Sequence, residues 1–242
     1  GDGRLWAVRY EGQSENILTL TFRDWYDIDY LENFFRDNMA DMESWFHITD
    51  LDTAIYDTIQ DAHSLQCLIL DISPEADLDK MFRPLDNCRS SEMHLGKEKA
   101  KGRFGHGHTS WLRLYALKLE PGAYFITGGS IKLTKTMAAR KHTLKELMKL
   151  EMVRNYLIDN GAFDVEGMTM SKTIEFLRSN PGGSDGNWKS EALWRKDNWG
   201  WLKYSSLIAI RTRSRMRALG MTQKSLADKI GCSQQYVSLL LK

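Results

Sequence analysis

Two sets of residues in this 242-residue chain have types and spacings suited to chemistry. The first lies near the C-terminal end. Thr222 is an N-cap type residue whose hydroxyl can accept a bond from an amide one turn on. Leu226, Ala227 and Ile230 then recur at helical spacing, and Gly231 suits a left-handed cap. Ser233 is a second N-cap, followed by Val237, Leu240 and Leu241 as a second apolar face. Two short helices joined by a glycine turn form a helix-turn-helix layout. The second helix of such a unit enters the major groove with its first residues at base edges. Gln234 and Gln235 stand there, and glutamine can bond adenine in a bidentate manner. Tyr236, Ser238 and Lys242 complete that helix as candidate DNA contacts. Thr222 and Ser233 flank the two helix starts, and Gln223 opens the first, where amides meet phosphate. An ordinary amphipathic hairpin is the plain alternative. Caps, turn, periodicity and polar tip agree on the DNA-binding layout.

The second set is in the middle of the chain. Lys101–His142 carries eight bases and one acid, a net +7. In the alternating stretch Trp111–Lys118, Trp111, Arg113, Tyr115 and Leu117 fall on one face, so Arg113 and Tyr115 point together. Gly128-Gly129 permits close backbone passage, and Lys132, Lys135 and His142 follow. Bases on a sheet with aromatics nearby can hold a bent RNA backbone. They could also stabilise a phosphorane during attack by a 2′-hydroxyl. Each has a plainer alternative: solvated lysines at a strand end, a packing tyrosine, a histidine flanking a helix. His106 and His108, at i and i+2 without a nearby cysteine or matched acid, make a weak metal set and read as a loop. No metal or other cofactor is expected.

The elements that must position these residues follow from periodicity. Leu5–Tyr10 and Ile17–Phe22 alternate like strands, and Tyr30–Met42 and Leu51–Leu70 read as helices. Trp111–Glu120 and Ala123–Thr127 flank a Pro-Gly turn and predict a hairpin. Thr143–Asn160 predicts a helix opened by a Thr143/Glu146 capping box and ended by Gly161. Met170–Ser179 reads as a short helix and 180–187 as a loop. Trp188, Trp194, Trp199 and Trp201 crowd the next stretch, and tryptophan is enriched where proteins bind each other. These four are candidate contacts to the N-terminal part, in cis or on a second copy, or else a core of the C-terminal part alone. The expected division is 1–162, a Trp-rich segment over 163–202, and a DNA-binding part over 203–242.

Charge and cysteine usage set bounds. The formal total of +1 hides segregation: Thr21–Lys80 has fifteen acids and three bases, a net −12, and Lys203–Lys242 has eight bases and one acid, a net +7. Arg211, Arg213, Arg215 and Arg217 alternate and cannot share one helix face, so some would meet phosphate and others an acidic partner. Three cysteines without a C-x-x-C pair suit a reducing cytosol. No apolar run approaches membrane-spanning length, so no membrane partner is expected.

Two family resemblances add to this reading. Met221–Lys242, with its Thr-Gln opening and Ser-Gln-Gln start of the second helix, resembles the phage repressor/Cro (XRE-like) helix-turn-helix. It departs at Leu239, where many members carry a polar base contact. Such domains add further helices, so this end is expected to be incomplete at Lys242. Phe82-Arg-Pro-Leu-Asp86, Ser110–Ala116 and Tyr124–Met137, with Gly-Gly-x-Ile-Lys-Leu-Thr-Lys, resemble toxins of the RelE/HigB type over about 5–160. That resemblance implies an α+β fold, N-terminal helices on a curved antiparallel sheet, followed here by the all-α DNA-binding part. It implies metal-independent mRNA cleavage, usually on the ribosome, through a 2′,3′-cyclic phosphate. Arg113, Lys132 and Lys135 would contact the scissile phosphate, with His142 or Tyr115 as acid/base. The Trp-rich stretch is similar to the N-terminal part of antitoxins paired with such toxins. The chain is thus expected to be a neutralised toxin joined to an autorepressing antitoxin, with operator DNA and mRNA as partners. A homodimer would set two recognition helices one DNA turn apart. The alternative is a transcription regulator whose N-terminal part lacks RNA chemistry and serves sensing or dimerisation.

Overall fold

The computed structural model describes residues 5–71, 78–85, 96–101, 109–162 and 188–241. The elements are β1 (Leu5–Ala7), α1 (Ile17–Tyr26), α2 (Ile28–Phe46), α3 (Leu51–Leu70), α4 (Leu78–Met81), β2 (Phe82–Pro84), β3 (Gly96–Lys101), β4 (Leu112–Glu120), β5 (Ala123–Ile131), a 3₁₀ turn (Met137–Ala139), α5 (Lys141–Asp159), α6 (Trp188–Ala218), α7 (Gln223–Ile230) and α8 (Gln234–Leu240). The class is α+β, with helices in the majority. His106, His108, the 170–179 helix, the 180–187 loop and Lys242 lie outside the described residues.

The expected hairpin is the centre of the sheet. Its strand order is β1-β5-β4-β3-β2. The β2, β3, β4 and β5 neighbours pair antiparallel, but β1 lies parallel to β5, with Leu5 opposite Tyr124 and Ala7 opposite Ile126. The sheet is therefore mixed, not purely antiparallel. A parallel partner needs a long crossover, and α1–α3 fall within this one. The second expected strand, Ile17–Phe22, is instead the start of α1. Asn16 caps that helix through a 3.0 Å bond from the Thr19 amide. Ile17, Leu18, Thr21, Phe22 and Trp25 are buried at helical intervals, which outweighs the local alternation. The strand expected over Leu5–Tyr10 is shorter, ending at Ala7.

Helices cover both faces of the hairpin. A Cβ on Gly129 would sit 2.5 Å from Thr21 Cγ2 of α1, and one on Gly128 would sit 1.8 Å from Glu146 Oε2 of α5. Adjacent strand residues point to opposite faces, so α1 and α5 press on the diglycine from two sides. What these glycines admit is the close approach of the Thr21 and Glu146 side chains, rather than the expected close passage of another backbone. Trp111 is fully buried, with Nε1 donating to Thr58 Oγ1 at 2.8 Å and Phe35 and Phe46 edge-on to its ring.

The expected capping box does not form. α5 starts at Lys141, so Thr143 lies inside it and donates its hydroxyl to the carbonyls of Met137 and Arg140. Glu146 turns inward beside the diglycine and accepts from Lys149 Nζ at 2.6 Å. Gly161, at φ +68°, ends the helix region as expected.

α6 is one helix of 31 residues running through the Trp-rich stretch and the alternating arginines. One face docks on the N-terminal helices. Trp188 is buried 6.0 Å from the Phe22 ring, Arg195 lies over the Tyr26 ring, and Trp199 stacks on His63 at 3.7 Å and 6°. Farther along, Arg213 Nη1 meets Asp29 at 2.6 Å and Glu32 at 3.3 Å. Arg217 meets Glu32 at 3.0 Å and Asp52 at 2.5 Å. The acidic front and basic end of the sequence are thus joined within the chain.

Candidate nucleic-acid interfaces

The C-terminal unit has the two short helices and glycine turn its sequence predicts. The Thr222 hydroxyl accepts from the Ser225 amide at 3.1 Å, and Gly231 takes φ +72° after α7. Ser233 Oγ accepts from the Tyr236 amide at 3.1 Å. A small core of Met216, Ala227, Val237 and Leu241 joins α6, α7 and α8, with Met221, Leu226 and Cys232 packed against it. Ile230 and Leu240, expected on the apolar faces, are half exposed instead. Arg213 Nε donates to the Leu241 carbonyl at 2.8 Å, so one guanidinium ties the end of α8 to the acids of α2.

The start of α8 is bare. Ser233, Gln234, Gln235 and Tyr236 are exposed, as is Thr222 before α7. Gln223 and Ser238 are half-buried. The cap hydroxyls accept helix amides and keep a proton to donate. Arg211, Arg215, Lys224 and Lys229 are exposed and supply positive charge on this unit. The arginines divide as i and i+2 positions must: Arg213 and Arg217 face the acids, while Arg211 and Arg215 face outward.

The middle set gathers at the open end of β4 and β5. Arg113 lies opposite Ser130, and Leu112 opposite Ile131. The Lys132 amide donates to the Trp111 carbonyl at 2.8 Å. The groups themselves are committed to the fold. Tyr115 has no exposed surface, and its hydroxyl lies 3.1 Å from Ser130 Oγ. Burial pushes that phenol up to about 12. Arg113 Nη1 donates to the Ser110 and Leu112 carbonyls, both at 2.7 Å, and burial lowers its proton affinity. His142 Nε2 donates to the Ile131 carbonyl at 2.9 Å, edge-on to Phe34, and burial lowers its pKa, keeping it neutral near pH 7. Lys132 Nζ donates to the Thr134 and Lys135 carbonyls at 2.6 and 2.8 Å. Lys135 alone of the five is exposed.

Glu146, whose spacing from Thr143 reads as a cap, is instead a buried carboxylate acting electrostatically on Tyr115. Burial raises its pKa, partly offset by Lys149 and the Gly129 amide. Its Oε2 makes no hydrogen bond. Of the four tryptophans, Trp188 and Trp199 contact the N-terminal helices, whereas Trp194 and Trp201 face solvent. Among the described residues no cluster of His, Cys, Asp and Glu is arranged to hold a metal, and no helix is long and apolar enough to cross a membrane. Comparison with protein families, curated proteins and solved structures finds no match for this chain.

Proposed function

We propose that this chain is a toxin–antitoxin type protein. A RelE-like domain over 1–162 is joined to an antitoxin-like portion that reads operator DNA through α8 and represses its own genes. One observation carries the reading: Gln234, Gln235 and Tyr236 stand exposed on a capped helix whose opposite side is packed into its own small core. That is the presentation a major-groove helix requires. The antitoxin-like role rests on α6, which grips the N-terminal helices by Trp188, Trp199, Arg213 and Arg217.

In this reading the N-terminal domain cleaves mRNA without a metal. The 2′-oxygen bonds to phosphorus, the bond to the 5′-oxygen breaks, and the 2′ proton is ultimately replaced on that leaving oxygen. Lys132 and Lys135 would meet the phosphate, with Arg113 stabilising charge and His142 or Tyr115 moving protons. A second reading has specific observations in its favour. The buried Tyr115, the carbonyl-bound Arg113 and the carbonyl-bound His142 suit an N-terminal domain without RNA chemistry in a DNA-binding regulator.

The experiment is an RNA cleavage assay, with and without ribosomes, on the full chain and on a chain carrying Arg213→Glu and Arg217→Glu. Cyclic-phosphate ends that vanish when Lys132→Ala and Lys135→Ala are added support the nuclease. A folded chain that cuts no RNA in either form assigns the N-terminal domain to the second reading.

A further inference from the structure

α6 has two apolar faces, and among the described residues only one is covered. Trp188, Ala192, Trp199 and Ile210 point towards the N-terminal helices. On the opposite side, Trp194, Trp201, Tyr204 and Ile208 follow one another at intervals of seven, three and four, a single stripe on a helix. They are 52%, 53%, 59% and 66% exposed. Monomers rarely leave such a contiguous stripe bare. Its rings are also held in place. Trp194 and Trp201 meet edge to face at 6.1 Å, the Asn198 amide donates to the Trp194 carbonyl at 2.8 Å, and Trp201 Nε1 donates to Asn198 Oδ1 at 3.0 Å. Ordered aromatics lose little entropy on docking.

The rim of the stripe identifies its occupant. Asp197 lies in its N-terminal half, between Trp194 and Trp201, and Arg211 and Arg215 lie at its C-terminal end; all three are exposed, and Lys203 Nζ sits 5.0 Å over the Tyr204 ring. That polarity makes the stripe complementary to itself when reversed. We propose that α6 is a dimerisation helix whose stripe packs antiparallel against the same stripe of a second copy, about a two-fold axis level with Ser206. This register sets Asp197 against Arg215, Trp201 against Arg211, and Tyr204 against Ile208, each pair occurring twice, as an isologous interface demands. The four side chains offer about 100 Å² each, and the rim brings the patch to roughly 600 Å² per copy, against the ~800 Å² of a standard interface. That is small for a stable dimer. The dimer requires neither DNA binding nor RNA cleavage.

The test is sedimentation velocity on the full chain across a micromolar concentration series, with circular dichroism to verify folding. The expected result is a monomer–dimer equilibrium that Trp201→Lys, which sets a cation against Arg211, abolishes. Asp197→Arg alone and Arg215→Asp alone should each weaken it about tenfold, and the two together should restore it to within about threefold. A chain that stays monomeric throughout overturns the proposal. So does a dimer indifferent to Trp201→Lys, or one in which the charge exchange gives no rescue, since another face or register would then hold it.

Discussion

Gly129 shows how closely this molecule is built at the level of single atoms. An added methyl there would meet Thr21 Cγ2, the Arg113 carbonyl and Leu114, with little room to retreat. Gly129→Ala is expected to destabilise the chain by about 1–3 kcal/mol, the usual range for overpacking, measured by urea denaturation. An unchanged midpoint would contradict the close packing of α1 on Gly129. Ser233→Ala removes the hydroxyl that accepts the Tyr236 amide, at a cost of about 1 kcal/mol to α8. Amide exchange confined to α8 and its turn is the measurement for that. The caps were legible because a hydroxyl before a helix has few other uses. Glu146 was not legible, because a glutamate three residues after a threonine fits a cap as well as it fits a buried carboxylate beside the diglycine. Only the approach of α5 to β5 decides between them.

Among the elements, α6 is the one whose two faces carry different tasks. On its docked face, burial, with Lys196 nearby, depresses His63 to about 4, and its ring lies flat on Trp199. A histidine depressed from about 6.5 contributes fully above that pH and loses its contribution as pH falls towards 4, because the undocked ring takes up the proton more readily. Trp fluorescence of the full chain should therefore report loosening of α6 between pH 6.5 and 4. His63→Phe should flatten that window, and an unaltered profile would assign the transition to other groups. Alternation misled at α1, where Ile17–Phe22 satisfies period two on paper but is buried with period 3.6. α6 reads poorly as an amphipathic helix for a related reason: apolar residues on opposite faces cancel the one-sided pattern, so its tryptophans looked like a segment of their own. The parallel placement of β1 beside β5 has no local signature at all, since it depends on the crossover that α1–α3 belong to.

Across the whole molecule, charge segregation is the feature that sequence and structure share most directly. The acidic front and basic end meet through Asp29, Glu32, Asp52, Arg213 and Arg217, with Glu32 and Arg213 largely shielded from water. Arg213→Ala also removes the tie to the Leu241 carbonyl. Because Glu32 retains Arg36 and Arg217, the cost should fall below the roughly 3–5 kcal/mol of a buried charge left without a partner. Limited proteolysis at the α6–α7 junction should accelerate in that variant, and resistance equal to the parent would deny the clasp its role. Which arginines would face acids and which would face outward could be read only as a division. The partners follow from α2 and α3 lying beside α6.

The central claim is that α8 reads base edges. Its most direct test is selection of bound sequences from a random duplex library, followed by affinity measurement at fixed salt for the parent, Gln234→Ala and Lys224→Ala. Base-edge reading by α8 predicts a selected site at which Gln234→Ala lowers discrimination at one base pair by about 1–3 kcal/mol. Lys224→Ala should weaken all sequences alike and reduce the salt slope by about one. Equal losses on every sequence from both variants, or a library from which no site emerges, would contradict it.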